Sequence, residues 1–351
     1  MIRRSNLLVS ILSGAATIFV GLVLASVAVW FFYWGPGPKA PHGTETVVVM
    51  RDGAGVSEIA AKLEREGVIR SAELFKAAAQ ITKADRRLKA GEYVFPSRAP
   101  LTEVLRMMRD GEVRRWFLTV PEGRSVAQAM DLLNASPVLV GTVEVPAEGS
   151  ILPETYELTR GESRAAVLKR MQVARDVALA ELWAKRQAGL PLKSPEEAVI
   201  LASIVEKETG LASERPKVAA VFVNRLNKGM RLESDPTLIY PVTKGRPLGR
   251  GIRLSEKERD TPYNTYLIAG LPPTPITNPG REALAAVLNP PKTDDLFFVA
   301  DGTGGHVFAS SYDQHLKNVA QWRRIEADRA KAAAARPQTA VAGAPAADKP
   351  L

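Results

Sequence analysis

Residues 5–34 carry no charged side chain. That run exceeds the roughly 20 residues a helix needs to cross a bilayer, and it removes this stretch from any ordinary globular core. Arg3 and Arg4 precede it, and Trp30-Phe31-Phe32-Tyr33-Trp34 closes it with aromatic residues suited to a membrane–water interface. Gly35-Pro36-Gly37-Pro38 then stops the helix. By the positive-inside rule, residues 1–6 are expected in the cytoplasm, 7–34 in the membrane and the remainder outside. A cleaved signal peptide would use a small-residue site such as Ser26-Val27-Ala28. The aromatic belt beyond that site favours an uncleaved anchor.

The 351 residues suffice for two domains plus appendages. There is no cysteine, which excludes disulfides, thiolate nucleophiles and cysteine-ligated zinc. A formal charge of +9 favours acidic partners, but aromatics make up only 6% and do not alternate with basic residues, so no nucleic-acid platform is expected. The histidines are His42, His306 and His315, without His-x-x-x-His spacing, so no metal site is expected. His306 reads as structural. Asp52-Gly53-Ala54-Gly55 begins like a dinucleotide loop, yet Glu58 stands where the third glycine belongs and would repel a pyrophosphate. No nucleophile elbow or phosphate-binding loop is present, and no cofactor is implied. Acid–base chemistry by carboxylates remains.

The elements predict an α+β chain. Strands are expected at 46–50 and 92–95, with amphipathic helices at 56–63 and 101–108. A repeat is visible: Val49-Met50-Arg51-Asp52-Gly53 with Val56, Ile59 and Leu63 is echoed by Thr119-Val120-Pro121-Glu122-Gly123 with Val126, Ala129 and Leu133. These strand–helix units resemble halves of LysM-type glycan-binding modules, so 44–145 is expected to be a LysM-like subdomain. Residues 147–156, mixing acidic, Gly, Pro and Tyr residues, read as the entrance to a second domain at 146–325. Helices follow at 164–188 and 215–226. Residues 231–280 read as a long irregular stretch, with Tyr and Asn side chains suited to sugar faces and hydroxyls. Then come a helix at 281–288, strands at 296–300 and 306–309, and a closing helix at 312–328. The Ala/Pro-rich residues 330–351 are expected to be disordered.

The chemically informative helix lies at 194–210. Ser194 caps it, Pro195 suits its first position, Glu197 completes a capping box and Gly210 stops it. Its end carries Glu206 and Glu208, which at about 100° per residue lie roughly 200° apart. Leu201, Ile204 and Val205 lie behind Glu208; Val199, Ala202 and Ser203 lie behind Glu206. A carboxyl ending the more apolar stripe is costly to ionise and can donate a proton near neutral pH. The competing reading is a helix-end glutamate that swings to water or pairs with Lys207 or Arg215.

Ile204-Val205-Glu206-Lys207-Glu208-Thr209, Ser213-Glu214-Arg215, Val221-Phe222-Val223-Asn224-Arg225-Leu226, Ser234-Asp235-Pro236-Thr237, Tyr263-Asn264-Thr265-Tyr266, Gly270-Leu271-Pro272-Pro273 and Phe297-Phe298-Val299-Ala300 occur in order. Together they resemble the signature of the MltG-type, YceG-like endolytic murein transglycosylases, over residues 44–320. Two positions depart from that pattern: Glu154 stands for Asp, and Thr274 for Gly. The resemblance implies a single-pass protein of a bacterial inner membrane, N-terminus cytoplasmic, with a LysM-like subdomain and a mixed α/β catalytic domain in the periplasm. It implies cleavage between N-acetylmuramic acid and N-acetylglucosamine within nascent peptidoglycan strands, leaving 1,6-anhydro ends and terminating elongation, with peptidoglycan synthases (penicillin-binding proteins) as partners. It also implies Glu208 as the catalytic carboxylate. Glu206, Glu154 and Asp235 are expected as orienting partners, and Asn224, Tyr240, Tyr263 and Asn264 as sugar contacts. A hydrolytic muramidase with Asp235 as second carboxylate, and a non-catalytic wall-binding scaffold, are the alternatives.

Overall fold

The uncharged N-terminal run folds as one helix, α1 (Ile2–Tyr33). Its Ser13–Tyr33 stretch has a mean hydropathy of 2.3 and none of it is buried, so by length and composition it can cross a membrane. The computed structural model describes residues 2–334, which divide into two compact units.

The first unit runs to Leu118 and regains Ser136–Gly141 and Glu157–Ser163. After α1 come β1 (Glu45–Met50), α2 (Val56–Arg65), α3 (Ala72–Ile81), β2 (Gly91–Pro96) and α4 (Leu101–Asp110). β1 and β2 pair antiparallel, from Glu45 opposite Pro96 to Met50 opposite Gly91. Alternation in β1 sends Val48 and Met50 into a core with Tyr93 and Phe95 of β2. Ile59 and Leu63 of α2, Phe75 of α3, and Val104 and Met108 of α4 complete it. Helix α3 is absent from the sequence expectations. Its start is nonetheless written in Ser71, whose hydroxyl accepts from the Leu74 N–H at 3.4 Å.

The second unit comprises Thr119–Ala135, Thr142–Tyr156 and the chain from Arg164. The second copy of the strand–turn–helix repeat thus contributes its turn and helix here, whereas the first copy belongs wholly to the other unit. β3 (Trp116–Thr119), α5 (Val126–Ala135), β4 (Thr155–Leu158) and α6 (Arg164–Ala184) lead to α7 (Pro195–Glu208). β3 pairs with β4. Around α7 pack α8 (Arg215–Asn227), α9 (Asp235–Thr243) and, after the short α10 (Leu254–Lys257), α11 (Arg281–Leu288). The core joins Leu201 and Ile204 of α7, Val218 and Phe222 of α8, and Leu284 and Val287 of α11. Each such side chain contributes about 1.5–3 kcal/mol on burial.

Helix α9 lies where an irregular stretch is expected. Its prolines explain the difference. Pro236 occupies a first-turn position, where a missing N–H costs nothing, and only Pro241 sits in the interior. The hairpin β5 (Phe297–Ala300) and β6 (His306–Ala309) pairs antiparallel as expected. The closing helix α12 (Tyr312–Ala334) runs past the expected end at 328, because its Ala-rich continuation has high helix propensity. The rest of the expected tail, 335–351, lies outside the described residues.

Phe75 is fully buried in the first unit's core. Phe75→Ala is expected to destabilise that unit by about 3–5 kcal/mol. Hydrogen exchange should show β1 and β2 losing protection while α7 and α8 keep theirs.

Candidate active site

Helix α7 starts as its sequence dictates. Ser194 Oγ accepts from the Glu197 N–H at 3.3 Å, whereas Glu197 does not close the expected capping box on the Ser194 N–H but reaches one residue further, to the Lys193 N–H at 2.6 Å. From Ala198 to Val205 every residue is buried, on all sides of the helix. Leu201, Ile204 and Val205 are buried as expected, but so are Val199, Ala202 and Ser203. Apolar flanking therefore does not distinguish Glu206 from Glu208. Their partners do.

Glu206 is a braced carboxylate. Its Oε2 accepts from the Gly280 N–H at 2.8 Å, and Arg215 Nη2 lies 3.5 Å from its Oε1. The same guanidinium is 3.5 Å from Glu122. The arrangement needs glycine at 280, since a Cβ there would fall 2.0 Å from Glu122 Oε1. Burial holds the Glu206 carboxyl above its ordinary range, against the pull of the Gly280 N–H. Arg215, offered above as a partner for Glu208, thus serves the other glutamate.

Glu208, on the opposite side, is half-buried and receives a hydrogen bond from the Ser234 hydroxyl to Oε1. Burial pushes its carboxyl up to about 7. The Ser234 bond opposes that rise, the Asp235 charge adds to it, and His306 and Arg225 oppose it. Among the described residues, no guanidinium reaches ion-pair distance of Glu208 and no backbone N–H donates to it, unlike Glu206.

Ser234 is itself locked. Its N–H donates to Thr265 Oγ1 at 2.9 Å and its carbonyl accepts from Thr237 Oγ1 at 2.6 Å. The Thr237 and Thr265 hydroxyls meet at 2.8 Å. The preceding segment is held by buried Arg225, whose Nη1 donates to the Leu232 carbonyl at 2.9 Å and Nε to the Leu296 carbonyl at 2.7 Å. These contacts aim one hydroxyl at one carboxyl. His306, at the start of β6, is fixed by Glu214, which takes the His306 N–H at 2.8 Å and meets Nδ1 at 2.7 Å. Ser234, Arg225 and His306 are the neighbours that the sequence reading missed as site residues. Their signal lay in the quoted motifs, but nothing in their spacing marks which of them faces Glu208.

The expected supporting residues separate into groups. Asp235 adjoins the site and accepts from the Tyr266 hydroxyl at 2.7 Å, with Lys257 3.9 Å away. Glu154 leaves its carboxylate exposed, while its carbonyl accepts from the Val120 N–H at 3.0 Å. Asn224 donates to the Thr293 and Asp295 carbonyls at 2.8 and 3.0 Å. Asn264 is fully buried and donates to the Lys257 and Arg259 carbonyls, both at 2.8 Å. Both asparagines act here as loop braces. Tyr240 is buried with its hydroxyl on Glu148 and its ring 5.4 Å from that of Tyr263. Tyr263 is half-buried, and its hydroxyl meets that of Thr274 at 2.7 Å. Thr274, one of the two departures from the family pattern, thus supplies a partner that glycine could not.

Because the Glu208 carboxyl is raised from 4.5 to about 7, the folded protein holds a proton there that the unfolded chain releases. That contribution is complete below about pH 4.5 and is lost as pH rises through about 7. Glu208→Gln, uncharged throughout, should therefore be more stable than the parent above pH 7, by up to about 3 kcal/mol, with the advantage shrinking toward pH 5. Unfolding midpoints of the two proteins across this pH range check it.

Residues 48–321 match the model of the YceG-like family. The endolytic murein transglycosylase of Streptococcus pneumoniae D39 is 28% identical over 320 residues, covering 77% of this chain and 57% of that protein. That of Bacillus subtilis 168 is 27% identical over 297 residues, covering 76% and 81%. The chain thus spans little more than half the length of the pneumococcal relative. A solved structure of a YceG-like protein from Listeria monocytogenes is 27% identical with a TM-score of 0.50, covering 78% of this chain and 98% of that one.

Proposed function

The chain belongs to the YceG-like family, and on that premise we propose that it is a membrane-anchored endolytic murein transglycosylase whose catalytic acid is Glu208. The observation that carries this reading is a half-buried carboxyl raised to about 7 at the end of a buried helix, held by a single locked hydroxyl. The relatives' shared name supports the reaction class. A group with that pKa can be a proton donor and, once ionised, a proton acceptor near neutral pH.

The substrate is a nascent peptidoglycan strand. Glu208 gives its proton to the oxygen linking N-acetylmuramic acid C1 to N-acetylglucosamine, and the C1–O bond breaks with that oxygen leaving as a hydroxyl. The muramic C6 oxygen closes on C1, and its proton returns to the Glu208 carboxylate. No water is consumed, and the nucleophile belongs to the substrate, so proximity replaces an enzyme nucleophile. Ser234 orients the carboxyl, Asp235 with Tyr266 sets the charge beside it, and Glu206 braces the end of α7. Tyr263 is the half-exposed aromatic suited to a sugar face, with the Tyr240 ring packed against it, whereas Asn224 and Asn264 brace loops.

Residues 146–325 form the catalytic domain in this reading. The β1-α2-α3-β2 order of the first unit supports a LysM-like, glycan-binding role for the 44–118 part of the expected 44–145 subdomain, whose α5 belongs to the second unit. The apolar helix supports an inner-membrane anchor with residues 1–6 cytoplasmic and the rest periplasmic, where cleavage would end strand elongation beside the synthases.

Mass spectrometry of sacculi digested by the full chain should show 1,6-anhydro ends. Reducing ends instead would assign a hydrolase, with Asp235 as its second carboxylate. Glu208→Gln should lower turnover by about 10²–10⁴-fold while glycan binding persists. Ser234→Ala removes a bond that favours the carboxylate. The Glu208 pKa should then climb, and the alkaline limb of the pH–rate profile should move to higher pH.

A further inference from the structure

The anchor does not end in a loose linker. The Trp34 and Gly35 N–H groups still donate to the Trp30 and Phe31 carbonyls, at 2.9 and 3.1 Å. Tyr33 packs against the first unit's core. The Gly37 N–H then donates to the Arg98 carbonyl at 3.0 Å, and the Arg98 N–H to the Pro38 carbonyl at 2.9 Å. Arg98 has φ of 65°, a strained conformation for a residue with a side chain, and these two bonds hold it there.

Two surfaces flank this junction. One is an apolar groove of about 600 Å³ between the last turns of α1 and helix α3, lined by Ala28, Phe32, Trp34, Leu74 and Ile81 among others. Ile81 is 83% exposed and Trp34 54%. Thr82, a polar residue on that wall, turns its hydroxyl back to the Ala78 carbonyl at 2.7 Å. The other surface, about 360 Å³, opens on Lys39, Arg70 and Arg98. Arg70 stands 5.2 Å over the Phe31 ring, with Nη2 on the Pro36 carbonyl at 3.0 Å. Helix α3 carries one carboxylate, Glu73, and Lys76 neutralises it at 2.6 Å.

Depth identifies the occupant. From Ala28 to Trp34 the anchor rises roughly 9 Å, and α3 lines the groove along that length. The end of α3 therefore lies at the level of the aromatic belt, where a helix with an apolar face and basic flanks rests on lipid. Lys83 follows Ile81, as suits a side chain reaching from that level to water.

We propose that the first unit is seated on the outer face of the bilayer, with Leu74 and Ile81 entering the acyl-chain boundary and Lys39, Arg70 and Arg98 binding lipid headgroup phosphates. The proposal rests on the membrane-anchor reading. It makes α3 a second membrane contact and holds the first unit against the surface.

The chain has no cysteine, so single-cysteine nitroxides can be placed at will. Val23→Cys in α1, Ile81→Cys, and exposed Asp52→Cys are each introduced into the full chain, reconstituted in vesicles of phosphatidylethanolamine and phosphatidylglycerol. Labels at 23 and 81 should be open to oxygen and shielded from a water-soluble nickel chelate, with the reverse at 52. Combining Ile81→Cys with Arg70→Gln or Arg98→Gln should lower the lipid-seated population about fivefold per charge removed. A label at 81 as chelate-accessible as that at 52, with 23 still in lipid, overturns the proposal alone. An aqueous label at 23 overturns the anchor reading itself. Arginine variants that leave 81 fully lipid-seated overturn the phosphate contacts.

Discussion

A carboxyl group surrounded by protein is costly to ionise, and the second unit offsets that cost with different partners at two positions within three residues. Glu206 is met by a guanidinium and a backbone N–H. Glu208 receives one hydroxyl and faces the charge of Asp235. Burial is common to both, so the difference in chemistry comes from partners rather than from the apolar helix that carries them. Much of the surrounding fold serves this asymmetry: Gly280 brings its backbone to Glu206, and Thr237, Thr265 and Arg225 fix the segment that bears Ser234.

The same division of labour appears at the membrane end. An apolar helix long enough to cross a membrane leads in, and the backbone pairing of Arg98 with Gly37 and Pro38 ties that helix to a folded unit. The strained φ of Arg98 persists because two hydrogen bonds hold it. Two junctions thus stand out in this chain, one around the Glu208 carboxyl and one that ties a folded unit to the end of its apolar helix.

Several elements were legible because their signals are local. The Ser194 cap and Pro195 place the start of α7 to the residue, whereas its end comes at Thr209 in extended backbone rather than at a left-handed Gly210, and the expected helix at 281–288 is α11. Helix α9 was hidden because prolines read as breakers unless their position within the first turn is known. Helix α3 was passed over although Ser71 announced it. The apolar stripe assigned to Glu208 selected the residue on grounds that did not discriminate, since α7 is buried on every side. Asn224 and Asn264 have side chains able to bind sugars, but Asn224 is taken by carbonyls of a segment remote in sequence, and Asn264 by those of Lys257 and Arg259 in a neighbouring irregular turn that no periodicity announces.

By itself the sequence determined the candidate membrane span, the helix periods, the caps and the order of motifs, because each depends on residues a few positions apart. Tertiary structure alone decided that Glu206 meets a guanidinium and a backbone N–H while Glu208 meets a serine hydroxyl. It also decided that a serine from the segment before α9 faces the end of α7, and that the end of α3 lies beside the anchor. Those outcomes depend on groups brought together from remote parts of the chain, and pairwise distance in space is what periodicity cannot encode.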